Sequence, residues 1–211
     1  MGDRFSAVAL AALLLFAPTV MADEAGDAWA ALAKGGHVVL IRHGNAPPGY
    51  GGDPPGFKVS DCSTQRNLDE LGREQARALG EAFRKHGVRV DRTVSSPWCR
   101  CLETARLMAV GEVESSWALV PDTNPTSRPR LDELKTLVSA WRGPGTLVLV
   151  THALTIRPVA GFLPEQAEAV VLKPPPPAAP DSSSWARSPR RAELTASLKV
   201  SSLCRRSTQG G

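Results

Sequence analysis

Cysteine is scarce in this sequence, and its few copies lack the spacing of a metal site. The chain has four cysteines in 211 residues: Cys62, Cys99, Cys101 and Cys204. A structural zinc site takes about four nitrogen or sulfur ligands at short, regular spacings. The Cys-x-Cys pair at Cys99 and Cys101 has no fourth ligand at such a spacing, so the cysteines predict no metal site.

An excess of positive charge is also missing outside the C-terminal segment. The formal net charge is +4, but residues 173–211 hold seven Lys or Arg and two Asp or Glu, which leaves −1 for the rest. Nucleic-acid-binding domains carry a basic surface, so we expect no nucleic-acid partner. The segment is also rich in proline and serine, which predicts a disordered tail over residues 173–211. Interaction with the cell-envelope surface through this basic tail is an alternative function.

A long apolar run occurs only at the N-terminus. Arg4 precedes an apolar run over residues 5–20, and the small residue Ala22 follows it, a pattern typical of a secretory signal peptide. A retained transmembrane anchor is the alternative, but Pro18 and the modest length of the run count against it. We therefore predict a signal peptide over 1–22, a domain over 23–172, a periplasmic or secreted location, and no stable membrane insertion after cleavage.

Strand-like and helix-like patterns alternate along the predicted domain. Aliphatic and β-branched runs predict strands, and apolar residues three or four positions apart predict helices. The strands are expected near residues 38–41, 91–96, 117–120, 146–150 and 168–172, the last at a sheet edge, and the helices near 27–33, 69–86, 99–110 and 126–141. A long Pro- and Gly-rich loop is expected over 46–58. This alternation predicts an α/β fold, a three-layer α/β/α sandwich with a mainly parallel sheet.

Polar side chains follow three of the predicted strands. Arg42 and His43 follow the first strand, Arg100 lies one helical turn beyond the second, and His152 follows the fourth. Since the carboxyl ends of parallel strands lie along one edge of a sheet, we expect these side chains around one pocket. Guanidinium groups match phosphate oxygens, and an imidazole between them can attack phosphorus. The pattern therefore favours a phosphate site.

Four motifs, in this order, resemble those of the histidine phosphatase superfamily, which includes phosphoglycerate mutases and acid phosphatases. They are LIRHG at 40–44, LGREQA at 71–76, SSPWCRCLETA at 95–105 and VLVTH at 148–152. Arg-His-Gly alone is a weak signal, whereas four ordered elements are a strong one. The resemblance covers residues 36–172 and implies a phosphoglycerate mutase-like fold in a short, exported member of bacterial type.

The resemblance implies a role for each matched residue. His43 would be the nucleophile that becomes phosphohistidine, Arg42 and Arg100 would hold the phosphoryl oxygens, and His152 would add a further donor. Arg66, between the predicted loop and the following helix, is a candidate substrate contact. Because preorganised cations can balance the charge of phosphoryl transfer, we expect neither a metal nor a cofactor.

A proton donor for the leaving group is where the sequence departs from the family. Many members place a glutamate after the third strand, where this chain has Asp122. Asp122 is therefore the candidate general acid, with Asp132 and Glu133 as alternatives. Short members that lack a clear donor suit good leaving groups, such as phosphohistidine or phosphoanhydrides.

The cysteines near the motifs favour a disulfide bond if the protein is exported. Cys62 would pair with either Cys99 or Cys101 and tie the long loop to the helix that carries Arg100. The spacing does not choose between these two pairings.

These features predict a metal-independent phosphatase that acts on a small phosphorylated substrate, a phosphomonoester or related phosphate. The reaction would pass through a phosphohistidine on His43. The alternatives are a non-catalytic phosphate-ligand binding protein and a phosphomutase. The substrate and the oligomeric state are not predicted.

Overall fold

The computed structural model describes residues 24–47, 52–121, 129–176 and 192–199. Its helices are α1 (Glu24–Ala33), α2 (Glu70–Lys85), α3 (Cys99–Met108), α4 (Pro129–Ala140) and α5 (Ala153–Ala160). Its strands are β1 (Val38–Arg42), β2 (Val90–Ser95), β3 (Val113–Ser115), β4 (Thr146–Thr151), β5 (Ala169–Lys173) and β6 (Glu193–Leu198). Short 3₁₀ turns occur at Cys62–Thr64 and Trp117–Leu119. The predicted signal peptide and Asp122 lie outside the described residues.

The six strands form one mixed sheet in the order β3-β2-β4-β1-β5-β6. The pairs β2–β3, β2–β4 and β1–β4 are parallel, while β5 is antiparallel to both β1 and β6. The two central strands, β1 and β4, are short apolar runs that are almost wholly buried. A strand covered on both faces needs such a continuous apolar run, which is why the sequence identified these two well.

Helices cover both faces of the sheet. Alternate residues of the central strands point to opposite faces. Val39 and Ile41 pack with α1, α2 and α3, whereas Val38 and Leu40 pack with α4 and α5. The predicted three-layer α/β fold with a mainly parallel sheet is confirmed.

The predicted third strand at residues 117–120 is wrong. Residues Trp117–Leu119 form a 3₁₀ turn, and the strand beside β2 is Val113–Ser115. The side chain of Ser116 accepts a hydrogen bond from the backbone N–H of Ala118 and so caps the turn. A short apolar run cannot by itself distinguish a strand from a buried turn.

The prediction of a disordered tail over residues 173–211 is wrong for the part that forms β6. Residues Glu193–Leu198 pair with β5, so β5 is not an edge strand as predicted. Leu198 at the end of β6 is buried in the core. The predicted disorder rested on the average composition of residues 173–211. That average does not reveal the short stretch that forms β6, which pairs with the otherwise open edge of β5.

A close backbone contact places the end of β1 against the start of α2. A Cβ atom added to Gly44 would lie 2.4 Å from the carbonyl oxygen of Gly72. The side chain of Asp69 accepts a hydrogen bond from Gly72 N and caps α2. The two glycines therefore allow an approach that other residues would prevent.

Candidate active site

The parallel pairing of β1 with β4 brings two predicted site residues together. In the ladder Arg42 lies opposite Thr151, so the next residues, His43 and His152, leave the sheet side by side. Their rings have centroids 5.5 Å apart and planes at 72°. This is the strand-end edge at which α/β proteins bind ligands.

His43 is held in one orientation by its own strand end. It is 2% exposed, and its Nδ1 lies 2.8 Å from the carbonyl oxygen of Gly44. Because a carbonyl can only accept, Nδ1 must carry the hydrogen. The lone pair of the neutral ring is therefore on Nε2, the nitrogen that remains for attack on phosphorus.

The surroundings of His43 keep its imidazole neutral. Burial, the largest cause, and the positive charges of Arg100, Arg42 and Arg66 together lower the pKa of His43 from 6.5 to about 3. The hydrogen bond to Gly44 acts in the opposite direction. An imidazole with its Nε2 lone pair free at neutral pH is the form that a nucleophile requires.

Arg42 precedes His43 at the end of β1. Its Nη1 donates to the carbonyl oxygen of Pro164 at 2.9 Å. Burial and the charge of Arg66 lower its pKa, while the buried carboxylate of Glu168 opposes that change. The turn before β5, which contains Pro164 and Glu168, therefore holds and partly balances this cation.

Arg100 enters from the first turn of α3. It is 5% exposed, and its Nη1 donates to Asp53 Oδ1 at 2.7 Å. Its Nη2 lies 3.4 Å from His152 Nδ1. The Nε–H groups of Arg42, Arg66 and Arg100 are all buried without a hydrogen-bond partner, which leaves donors able to bind an anion.

His152 is buried in a network of polar side chains. Since a guanidinium can only donate, its contact with Arg100 makes Nδ1 of the neutral ring an acceptor. Nε2 then carries the hydrogen and faces Ser96 Oγ at 3.0 Å. Burial, followed by the charge of Arg100, lowers the pKa of His152 well below its usual value. Both ring nitrogens thus have partners within the protein.

Thr104 joins the first and third motifs, a role that the sequence did not reveal. Its hydroxyl accepts from the backbone N–H of Gly44 at 3.1 Å and donates to the carbonyl oxygen of Arg100 at 2.7 Å. The hydroxyl therefore sets the distance between the strand end that carries His43 and the helix that carries Arg100. Its position within the SSPWCRCLETA motif is the sequence feature that could have indicated this role.

The long loop brings Arg66 to the pocket, together with a residue not predicted from the sequence. Arg66 Nη1 donates to the carbonyl oxygen of Ala46 at 3.3 Å, and its charge acts on His43. Asp53 accepts from the backbone N–H of Arg66 and from the side chains of Arg100 and Trp98. Asp53 is a single aspartate in a Pro- and Gly-rich loop, and nothing in the local sequence indicates that it contacts the site.

An aromatic row borders the pocket beside His152. Trp98 lies edge-on to the His152 ring, with centroids 5.7 Å apart. Phe57 and Trp117 flank Trp98 at centroid distances of 5.9 and 6.0 Å. These three residues come from separate segments, so no single motif could predict the row.

The candidate general acids are not brought to the site by any described contact. Asp132 and Glu133 are exposed on α4, and Asp132 pairs with Lys135 at 3.4 Å. In the described parts of the chain, no hydrogen bond or ion pair joins either carboxylate to His43 or Arg100. Asp122, the first candidate, lies outside the described residues.

The structure selects one of the two predicted disulfide pairings. Cys62 and Cys99 lie at bonding distance, with their sulfur atoms 2.02 Å apart. Cys101 is buried and reduced, with Sγ 3.6 Å from His152 Nε2, and burial raises its pKa to about 12. The bond ties the 3₁₀ turn after the long loop to the first residue of α3. Gln65 adds a second tie, because its Oε1 accepts from Cys99 N at 3.0 Å.

Among the residues that the structure describes, no helix has both the length and the apolar character needed to cross a membrane. Within these ranges, no three His, Cys, Asp or Glu side chains are grouped as metal ligands.

Comparison with known proteins gives a match to a family over part of the chain and a likeness of fold. Residues 38–134 match the histidine phosphatase superfamily (branch 1). The mitochondrial serine/threonine-protein phosphatase Pgam5 of Drosophila willistoni is 32% identical over 72 residues, which are 34% of this chain and 21% of that protein. The Drosophila persimilis protein has the same identity, and the match covers 22% of it. The chain therefore matches only about a fifth of the length of these relatives.

Two solved structures share the fold. The protein histidine phosphatase SixA complexed with tungstate aligns with a TM-score of 0.55 at 14% identity, covering 79% of this chain and 99% of that chain. The putative phosphohistidine phosphatase SixA from Agrobacterium tumefaciens aligns with a TM-score of 0.50 at 18% identity, covering 78% and 98%. At such identities the likeness is one of fold.

Proposed function

We propose that this chain belongs to the histidine phosphatase superfamily (branch 1) and hydrolyses a phosphomonoester or related phosphate through a phosphohistidine on His43. The supporting observation is the state of His43: Nδ1 is bonded to Gly44, and the ring is buried among three guanidinium groups. This arrangement leaves Nε2 as a neutral nucleophile next to cations that can hold a phosphoryl group.

The first step transfers the phosphoryl group to the protein. Nε2 of His43 attacks phosphorus, the bond from phosphorus to the leaving group breaks, and the leaving group departs with the bonding electron pair. Arg42 and Arg100 balance the charge on the equatorial oxygens, so the chain's own cations serve where other phosphatases use a metal. In the second step water attacks phosphorus and the bond from phosphorus to Nε2 breaks, with its electron pair returning to the imidazole. Phosphate leaves, the proton of the attacking water passes to the phosphate or to solvent, and His43 is free again.

The substrate we propose has a leaving group that departs without strong acid assistance. Asp53 is held ionised by its three donors, and Asp132 and Glu133 face solvent. A phosphorylated imidazole or a phosphoanhydride meets this requirement, and the SixA structure that shares the fold is named a protein histidine phosphatase. We retain Asp122 as the proposed donor for less reactive esters.

Export is also part of the proposal. It rests on the N-terminal pattern over residues 1–22 and on the Cys62–Cys99 disulfide, since such bonds persist in oxidising compartments. Cell fractionation of the full chain tests it: we expect the protein, shortened by the leader, in the periplasm or the medium. Recovery of full-length protein in the cytoplasm would contradict export without affecting the proposed reaction.

An aryl phosphate assay tests the enzyme activity. We expect turnover by the wild type, no loss of turnover with a chelator, and loss of about 10⁴-fold or more for His43→Ala. Quenching with alkaline detergent after reaction with substrate radiolabelled at phosphorus should trap an acid-labile, alkali-stable phosphoenzyme in the wild type alone. If both proteins are inert but bind inorganic phosphate equally, the chain is a phosphate-ligand binding protein.

Comparison of leaving groups tests the substrate class. We expect Asp122→Asn to reduce turnover of an alkyl phosphate while turnover of a phosphoimidazole stays within about twofold, since only the alkoxide needs a proton. Glu133→Gln, which alters an exposed carboxylate on α4, is the matched control. Equal losses on both substrates would show that Asp122 does not act as the donor.

A further inference from the structure

Asp53 is a buried carboxylate at the edge of the proposed pocket. It lies in the long loop between β1 and α2, and its side chain is 7% exposed. Its partner Arg100 has a side chain that is 6% exposed. A charged pair removed from water in this way requires good geometry and further hydrogen bonds to be stable.

Three N–H groups hold the Asp53 carboxylate in place. Oδ1 accepts from Arg100 Nη1 at 2.7 Å and from the backbone N–H of Arg66 at 3.0 Å. Oδ2 accepts from Trp98 Nε1 at 2.9 Å. Burial alone would raise the pKa of Asp53, but the hydrogen bonds from Arg100 and Arg66 bring it below its ordinary value. Asp53 is therefore an ionised acceptor, unsuited to donate a proton.

Asp53 contacts one of the two terminal nitrogens of the Arg100 guanidinium. Nη1 of Arg100 donates both to Asp53 and to the carbonyl oxygen of Arg66, the latter at 3.3 Å. Nη2 faces the other way, toward His152 Nδ1 at 3.4 Å. The planar guanidinium of Arg100 is thus contacted at both of its terminal nitrogens. These contacts fix the orientation of the plane and so the direction of its remaining N–H donors.

We propose that Asp53 is a positioning residue for phosphoryl transfer: it holds Arg100 in the orientation that binds the phosphoryl oxygens, and it couples the long loop to the active site. The inference rests on the proposed function of the pocket. It also assigns a purpose to the loop, which places Asp53, Gln65 and Arg66 around the start of α3. Loss of the carboxylate should then impair the transition state more than the binding of the ground state.

The test compares Asp53→Asn with Asp61→Asn. Asp61 lies in the same segment and caps the 3₁₀ turn, but it makes no described contact with Arg100. With an aryl phosphate we expect Asp53→Asn to lower kcat/KM about 100-fold, mainly through kcat. Competitive inhibition by orthovanadate should weaken to a similar extent, and inhibition by inorganic phosphate by less than about tenfold. Asp61→Asn should stay within about twofold of the wild type in each measurement.

A second pair of variants guards against misfolding of Asp53→Asn. The new amide nitrogen would oppose the Trp98 N–H, so Trp98→Phe removes the conflicting donor. Asp53→Asn should then lower kcat/KM by a smaller factor in the Trp98→Phe background than in the wild type, because the amide oxygen still accepts a hydrogen bond from Arg100. Losses below about threefold in both backgrounds would overturn the proposal. Tighter phosphate binding by Asp53→Asn would also overturn it, because that result marks a carboxylate that competes with phosphate.

The inference can fail separately from the proposed function. If the wild type turns over substrate and Asp53→Asn is equally active, only the positioning role is lost. If the wild type is inert, calorimetric titration with inorganic phosphate decides. We then expect Asp53→Asn to bind phosphate several-fold more weakly than Asp61→Asn, and equal affinities would overturn the inference.

Discussion

The two sides of the pocket are held in different ways. On the sheet side, backbone hydrogen bonds fix His43, whose N–H donates to Thr151 O at 3.0 Å and whose carbonyl accepts from Ala167 N at 3.2 Å. On the loop side, the ties are the Asp53–Arg100 pair, one bond from Gln65 and one disulfide. His43 is therefore held by the backbone of the sheet, whereas the loop side depends on a few side chains, each removable by one substitution.

Arg100 joins the two sides, so its replacement should have the largest effect. Lysine keeps the charge but presents a single compact ammonium, which cannot reach Asp53 and the His152 side together. We expect Arg100→Lys to lower kcat/KM on an aryl phosphate by about 10²–10³-fold. Arg106→Lys, at an exposed position on the same helix, is the control and should be near wild type. A loss shared by both variants would point to damage to α3 and not to the pocket.

Gly44→Ala should disturb the sheet side. The added Cβ would lie 2.4 Å from Gly72 O, so the end of β1 and the start of α2 must separate. We expect a loss of about 1–3 kcal/mol in the free energy of unfolding. A fall in kcat of up to about 100-fold should accompany it, because the adjacent His43 moves. Thermal unfolding and aryl phosphate turnover measure the two effects.

Gly52→Ala is the matched control for that substitution. No atom lies within 4 Å of a Cβ placed there, so stability and turnover should stay near wild type. If Gly44→Ala has the stability and turnover of the wild type, the end of β1 and the start of α2 can separate without moving His43.

Removal of the disulfide should affect the loop side alone. The double variant Cys62→Ser with Cys99→Ser should lose about 2–4 kcal/mol in the free energy of unfolding. We expect KM for an aryl phosphate to rise up to about tenfold, while the phosphoenzyme on His43 still forms, because the ladder that holds His43 is untouched. A reductant should change the wild type in the same direction and have no effect on the double variant. Loss of the phosphoenzyme would contradict the independence of the two sides.

A pH dependence of stability is also expected on the sheet side. Folded His43 has a pKa of about 3 against an ordinary 6.5, so between these values the unfolded chain binds the extra proton. The free energy of unfolding should therefore rise with pH across this window and level off above it. The free energy of unfolding, measured with denaturant at several pH values, should rise less steeply with pH for His43→Gln than for the wild type. Equal slopes would mean that folded His43 titrates normally.

The sheet side could be predicted from the sequence because its information is local. Four apolar residues followed by Arg-His-Gly describe a buried strand and the polar residues at its end, and the same holds for the strand before His152. The order of the motifs then indicated that Arg100 would join them. The structure brings these four side chains together.

The loop side could not be predicted because its information is long-range. The partners of Asp53 are Arg66, Trp98 and Arg100, and no periodic pattern connects a loop position with residues so far along the chain. The choice between Cys99 and Cys101 as the disulfide partner of Cys62 likewise depended on which of the two side chains of α3 faces Cys62 in the fold. Residues 117–120 show the same limit within the fold, because their apolar run matched a strand while the capping side chain of Ser116 favoured a turn.

The burial of Cys101 bears on how the protein reaches its oxidised state. Cys99 and Cys101 are two positions apart in the sequence and Cys62 contacts this segment in the fold, so the burial of Cys101 favours the pairing of Cys62 with Cys99. Oxidation before α3 packs on the sheet would let Cys62 bond to either cysteine, and the wrong bond would pull Cys101 away from His152. A chain that collapses before it meets oxidant therefore avoids isomerase-dependent repair, whereas one oxidised while still extended needs it.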